Sequence, residues 1–120
     1  MDQGVITNPN GLVVASDADD KCPHRKIIEL YHEILPANPR IREWTTARQK
    51  QLKTRWLEDR ERQNLEYWRR FFELIAQHCP FLTGQREGRN GQPFLPGLEW
   101  MVKRENFVKI REGRYVENAA

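Results

Sequence analysis

The run from Asn64 to Cys79 limits what this chain can fold into more than any other stretch. Leu65, Trp68, Phe72, Ile75 and Cys79 recur at alternating steps of three and four, one stripe of a 3.6-residue helix, and Phe71 and Leu74 widen it. Three aromatic rings within five positions are more apolar surface than a small helix can leave wet. Each large side chain that is fully buried stabilises by about 1.5–3 kcal/mol. The pattern therefore predicts the central core helix of the domain. Asn64 is suited to cap its start, and Pro80 cannot continue the hydrogen-bond ladder. Glu66, Arg69, Arg70, Glu73 and Gln77 fall on the outer, solvated face.

Flanking segments predict further helices around this one. Ile27, Leu30, Tyr31, Ile34 and Leu35 form an apolar stripe over about Pro23 to Leu35, with Pro23 at the first helical position and Asp20 or Cys22 as cap. Pro36 and Pro39 make residues 35–40 a connector. A second helix fits Thr45 to Asp59, capped by Thr45, with Leu52 and Trp56 inward and Trp44 just before it. Its apolar stripe is thin, with Arg48, Gln51 and Arg55 beside it and Lys50 and Lys53 on another side. Residues 81–84 read as a turn. Residues 85–93 form a Gly/Pro/Arg loop with an Asn90-Gly91 turn signal, and the sequence leaves open whether residues 85–97 pair as a hairpin. A helical turn near Leu98 and a last helix over Arg104 to Glu112, with Phe107 and Ile110 inward and Gly113 at its end, complete the set.

With 120 residues there is room for one core. The expected architecture is a small all-α domain of four to five helices, with residues 1–21 as a flexible acidic arm or linker, 22–116 as the basic helical domain and 117–120 as a frayed tail. No run approaches the ~18 apolar residues of a membrane span, and no secretory signal pattern is present, so a cytoplasmic protein without membrane contact is expected. The two cysteines, Cys22 and Cys79, are too few for a disulfide framework.

Charge is distributed unevenly. Residues 1–20 hold Asp2, Asp17, Asp19 and Asp20 and no Lys or Arg, so the remaining hundred residues carry all 20 basic side chains against 13 acidic ones, +7. Fourteen of the twenty are arginine, whose planar fork suits phosphate and base edges. Helical Glu/Arg pairing also produces such a balance, so it points to an anionic partner without naming one. Three basic clusters fall outside the core stripes: Arg48, Lys50, Lys53 and Arg55; Arg69 and Arg70; and Lys103, Arg104, Lys109, Arg111 and Arg114. Trp44, Trp100 and Tyr115 are the candidates for stacking on a single strand.

Catalytic and metal signatures are weak. Cys22, His24, His78 and Cys79 supply the inventory of a zinc site, but His78 and Cys79 are adjacent on a helix and point about 100° apart, and Cys79 completes the apolar stripe. No phosphate-cradling Gly loop, nucleophile elbow or His-Glu-x-x-His pair occurs. His32 and Glu33 are sequence neighbours on the first helix and cannot act on one substrate atom together. A non-enzymatic chain without cofactor or metal is expected.

Cys22-Pro23-His24-Arg25-Lys26-Ile27-Ile28-Glu29-Leu30-Tyr31-His32-Glu33-Ile34-Leu35-Pro36, then Tyr67-Trp68-Arg69-Arg70-Phe71-Phe72, then Phe81-Leu82-Thr83-Gly84, and Leu98-Glu99-Trp100 through the segment ending at Arg114-Tyr115 resemble the C-terminal module of phage and prophage replication proteins. The resemblance covers roughly residues 22–115. A looser similarity to the C-terminal domains of DnaD-type primosomal proteins lies in the aromatic helix followed by a basic tail. The resemblance implies a role in starting phage DNA replication, by binding DNA or by recruiting or loading the host replicative helicase. The N-terminal domain found in that group has no counterpart in this sequence. Two classes of function follow: weak, non-specific binding of single- or double-stranded DNA through the basic clusters, or docking on a replicative helicase or another replisome subunit.

Overall fold

The computed structural model describes residues 5–7, 13–15, 22–88 and 90–117. Its fold is helical: α1 (His24–Ile34), α2 (Thr46–Leu57), α3 (Leu65–His78), α4 (Leu98–Met101) and α5 (Arg104–Arg111), with 3-10 turns at Arg60–Arg62 and Pro80–Leu82. Three short strands, β1 (Val5–Thr7), β2 (Val13–Ala15) and β3 (Glu43–Trp44), pair in the order β1-β2-β3. The first two are antiparallel, with Ile6 opposite Val14, and β2 runs parallel to β3, with Val14 opposite Trp44.

Within the expected arm, Val5–Thr7 and Val13–Ala15 pair as two short strands. The short Val-rich run, too small to form a core element alone, finds its ladder partners in β1 and in the segment before α2. The rest of residues 1–21 lies outside the described residues.

Local chemistry sets the helix ends. The Asn64 side chain accepts the Tyr67 N–H at 2.8 Å, and the Thr45 hydroxyl accepts the Arg48 N–H at 3.3 Å, each filling a donor that a helix start leaves open. Pro23 stands at the cap of α1 without a side-chain bond, one position earlier than expected. Gly113, at φ +79, ends α5: its N–H reaches Ile110 O at 3.0 Å and the Arg114 N–H reaches Lys109 O at 3.0 Å, the paired bonds of a Schellman motif.

The core lies where α1 and α3 face each other. Tyr31, Trp68, Phe72, Ile75 and Phe107 are fully buried. The Trp68 ring lies 5.7 Å from both Phe71 and Phe107, and Tyr31 meets Phe72 edge-on at 5.9 Å. Ile28, at the edge of the predicted stripe beside Leu35 but not among its named residues, is also fully buried, while Ile34 is only half-buried.

Polar bonds hold the connectors on this core. Asn38, in the double-proline connector, donates from Nδ2 to Leu82 O at 2.7 Å and to Pro96 O at 2.9 Å, joining three loops distant in sequence. The Tyr31 hydroxyl donates to Pro39 O, and the Ile41 N–H donates to His32 Nε2 at 2.9 Å. The C-terminal segment is docked as well. Glu117, expected within a frayed tail, donates its N–H to His78 O at 2.9 Å, and its carboxylate takes a two-pronged bond from Arg86. Residues 118–120 lie outside the described residues.

Truncating Phe72 to Ala should cost about 3–5 kcal/mol, a large share of the stability of a domain this size; an unchanged denaturation midpoint would contradict its central place. Asn38→Ala should cost about 2–3 kcal/mol in urea unfolding, because two buried carbonyls lose their donor at once.

His32 supplies a pH dependence. Burial, then the Arg40 charge, lower its pKa below 6.5, so the unfolded chain takes up a proton at a higher pH than the folded one does. Stability should be full above about pH 6.5 and fall as pH drops from there to the folded-state value. The difference in urea midpoint between the parent and His32→Gln should change only in that window.

Candidate nucleic-acid interface

Of the three basic clusters predicted from the sequence, the structure leaves one largely uncompensated. In the α2 cluster Lys50 is exposed, Arg48 and Lys53 are half-buried, and Arg55 is buried at 5% exposure. Placing Arg55 on a solvent face is therefore corrected. At 100° per residue Arg55 falls about 60° from Leu52, on the flank away from Trp56. It belongs to the buried stripe, and Gln49 closes the opposite flank. The Arg48 guanidinium is occupied by Glu43 O at 3.0 Å.

The α3 pair is met by carboxylates. Arg70 Nε lies 3.1 Å from Glu66, and Arg69 reaches Glu33 at 3.8 Å and Glu66 at 3.9 Å. These exposed contacts are worth at most ~1 kcal/mol each, but they offset the local field that an anionic ligand would meet.

Residues 103–114 behave differently. Phe107 and Ile110 turn α5 inward, so Lys103, Arg104, Arg111 and Arg114 are exposed and Lys109 is half-exposed. Among the described residues, Lys103, Arg104, Lys109 and Arg111 have no carboxylate within ion-pair distance; Arg114 has Glu112 at 3.4 Å. A surface depression of about 420 Å³ is lined by Arg104, Glu105, Val108, Lys109, Glu112 and Arg114.

Arg114 is shared with a second, more apolar groove of about 760 Å³, which Phe81, Pro93, Phe94 and Tyr115 also line. The 3-10 turn after α3 buries Leu82 and thereby turns Phe81 outward, 43% exposed. The loop before α4 supplies the opposite wall. It is a tight reversal with one bridge, Glu87 to Pro93, closed by the Gly88 N–H to Gln92 O at 2.7 Å around Gly91 at φ +75. Residues 85–97 therefore make a minimal hairpin whose far end carries Phe94, 41% exposed and edge-on to Trp100 at 5.2 Å. Gly84, at φ +75, lets this loop close, since a Cβ there would stand 2.9 Å from the Leu95 side chain.

The stacking candidates divide accordingly. Trp44 is fully buried and its indole N–H donates to His24 Nδ1 at 3.3 Å, so it offers no face to a base. Trp100 and Tyr115 are half-buried, 5.9 Å apart. The exposed rings are Phe81 and Phe94, which were not among the stacking candidates read from the sequence. The available signal was the Pro-flanked position of each, since Pro80 and Pro93 begin segments too short to bury both faces.

The zinc inventory is dispersed. Among the described residues no three His, Cys, Asp or Glu side chains come together in a metal-holding arrangement. Burial pushes the Cys79 thiol up to about 11, against thiolate chemistry at neutral pH. No described helix is long and apolar enough to cross a membrane. No family model, curated protein or solved structure matches the chain.

Proposed function

We propose that this chain is a non-enzymatic DNA-replication module of the prophage type that binds DNA weakly through the basic residues on and beside α5. The observation that carries the reading is the run Lys103, Arg104, Lys109, Arg111 and Arg114. Five cationic side chains lie within twelve residues, on or beside one helix that the core turns outward, and four of them have no ion pair among the described residues. Phosphate contacts from such a run give a sequence-independent affinity that falls steeply with salt, because each neutralised phosphate releases condensed counterions. The half-exposed Lys109 and the exposed Arg104 line the same depression, so one strand backbone can meet both.

A second reading has its own support. The groove of Phe81, Phe94 and Tyr115 exposes more contiguous apolar surface than a helix facing DNA phosphates requires. It favours a protein-interaction module that docks on a replicative helicase or another replisome subunit, with an apolar side chain of the partner against Phe81 and Phe94.

Fluorescence-anisotropy titrations of single- and double-stranded DNA across a salt series separate the two. Lys109→Ala and Arg104→Ala should each lower the magnitude of the salt slope by about one. Arg70→Ala, whose guanidinium already faces Glu66, should lower it by less. Absence of any DNA binding at low salt, together with capture of the helicase that Phe81→Ser and Phe94→Ser abolish, would replace the DNA reading with the docking one.

A further inference from the structure

Behind the outer face of α5 lies an arrangement that the DNA reading does not use. Arg55 and Arg62 are buried, 5% and 7% exposed, and share one carboxylate, Glu58, at 3.3 Å and 2.8 Å. Arg62 also donates to Arg55 O at 3.2 Å. The Arg62 guanidinium lies over the Phe107 ring at 4.7 Å, and Arg111 approaches the same ring at 5.8 Å. Burial lowers the pKa of Arg55, Glu58 raises it, and the charges of Arg62 and Arg104 lower it again. Arg55 and Arg62 thus share one carboxylate, and Arg104 and Arg111 stand one turn before and one turn after Phe107 on the same side of α5.

Their hydrogen bonds do not close. Arg55 Nε and Nη1 and Arg62 Nε are buried donors with no acceptor among the described residues. A buried charged donor without a partner costs more than a neutral one, and three in one corner, on two guanidiniums already repelling each other, favour an added negative charge there. An aromatic face holding two cations offsets part of this cost but accepts no N–H in the guanidinium plane. The corner reaches solvent at its edge, where the Glu58 side chain is 36% exposed and Arg104 is exposed.

We propose that the Arg55–Arg62–Arg104 corner between α2, the following 3-10 turn and α5 is a binding site for one phosphate group. A tetrahedral oxyanion offers acceptors in several directions at once, as a single planar carboxylate does not, and guanidinium forks match it two bonds at a time. Glu58 is already bonded to both guanidiniums, so the remaining N–H groups need a further acceptor, and chloride lacks the paired oxygens that a guanidinium fork meets two at a time. The site goes beyond the α5 surface, with which it shares Arg104 but not Lys109.

The test follows the arginine Nε–H resonances of the full chain by NMR during titration with sodium phosphate, against sodium chloride at matched ionic strength. The Nε–H signals of Arg55 and Arg62 should exchange slowly with water and move saturably with phosphate alone. Arg104→Ala should weaken that response about ten-fold, as expected for one charged hydrogen bond. Lys109→Ala should leave it unchanged while lowering the DNA salt slope, so loss of DNA binding and loss of the phosphate site are separable. A nucleoside 5′-monophosphate and a dinucleotide with one internal phosphodiester then identify the source as a terminal phosphate, a strand backbone or, if neither acts, the free ion. Nε–H signals that stay still in phosphate, that move equally in chloride, or that exchange as fast as that of the exposed Arg70 would overturn the proposal.

Discussion

The burial of Trp68 is the constraint on which the other elements depend. Its ring contacts Phe71, Phe72 and Phe107, and its indole N–H donates to Arg62 O at 2.8 Å. An indole cannot be enclosed without an acceptor for its one donor, so the chain entering α3 must double back to present a carbonyl. The 3-10 turn at Arg60–Arg62, capped by the Asp59 carboxylate on the Glu61 N–H at 3.0 Å, provides it. That turn in turn fixes Arg62 against Phe107, and Phe107 fixes which way α5 faces. The orientation of the basic outer helix is thus a consequence of satisfying one N–H in the core.

A second constraint acts at the opposite end. Residues 35–40 and 94–97 lack a regular hydrogen-bond ladder and residues 80–84 hold a single 3-10 turn, yet Leu35, Leu82, Pro96 and Gly97 are buried. Buried carbonyls in such connectors must find donors from outside the backbone ladder. The Asn38 amide supplies two of them from one side chain, and a helix or strand could not, because its own N–H groups are already spent on their ladder. The aromatic groove exists because this clamp holds the Pro80–Leu82 turn and the loop before α4 at a fixed separation, leaving Phe81 and Phe94 on the surface between them.

Apolar periodicity made most of the fold legible from the sequence. The 3–4 stripe of α3 and its Asn64 cap, the Thr45 cap of α2, the single turn near Leu98 and the Gly113 stop after α5 all rest on interactions within a few residues, which a sequence displays directly. What escaped depended on distant partners. Arg55 reads as surface by residue type and becomes core only because Leu52 and Trp56 are few and the stripe needs another long side chain to fill it. The β2–β3 ladder joins residues thirty apart, and no local pattern announces it. The candidate interface was legible for residues 103–114, whose cations stay exposed on and beside a helix with only Phe107 and Ile110 inward, and illegible for the groove, whose walls come from three separate loops.

The distribution of arginine follows from the same geometry. A small helical domain has little apolar surface to bury, and α2 offers Leu52 and Trp56 almost alone, so the stems of Arg55 and Arg62 complete the packing between α2 and α5. Doing so takes two charges out of water, a cost that Glu58 and the Phe107 face offset only in part. A neutral residue of similar length would pack there without that penalty. Arginine at these positions is therefore explained by packing only if charge is also used, and an anion reaching this corner would bind to, and stabilise, the contact between the Arg60–Arg62 turn and α5. Because α5 carries Arg104 and Arg111 at the corner and Lys109 on its outer side, charge neutralised in the corner lessens the repulsion felt along the helix.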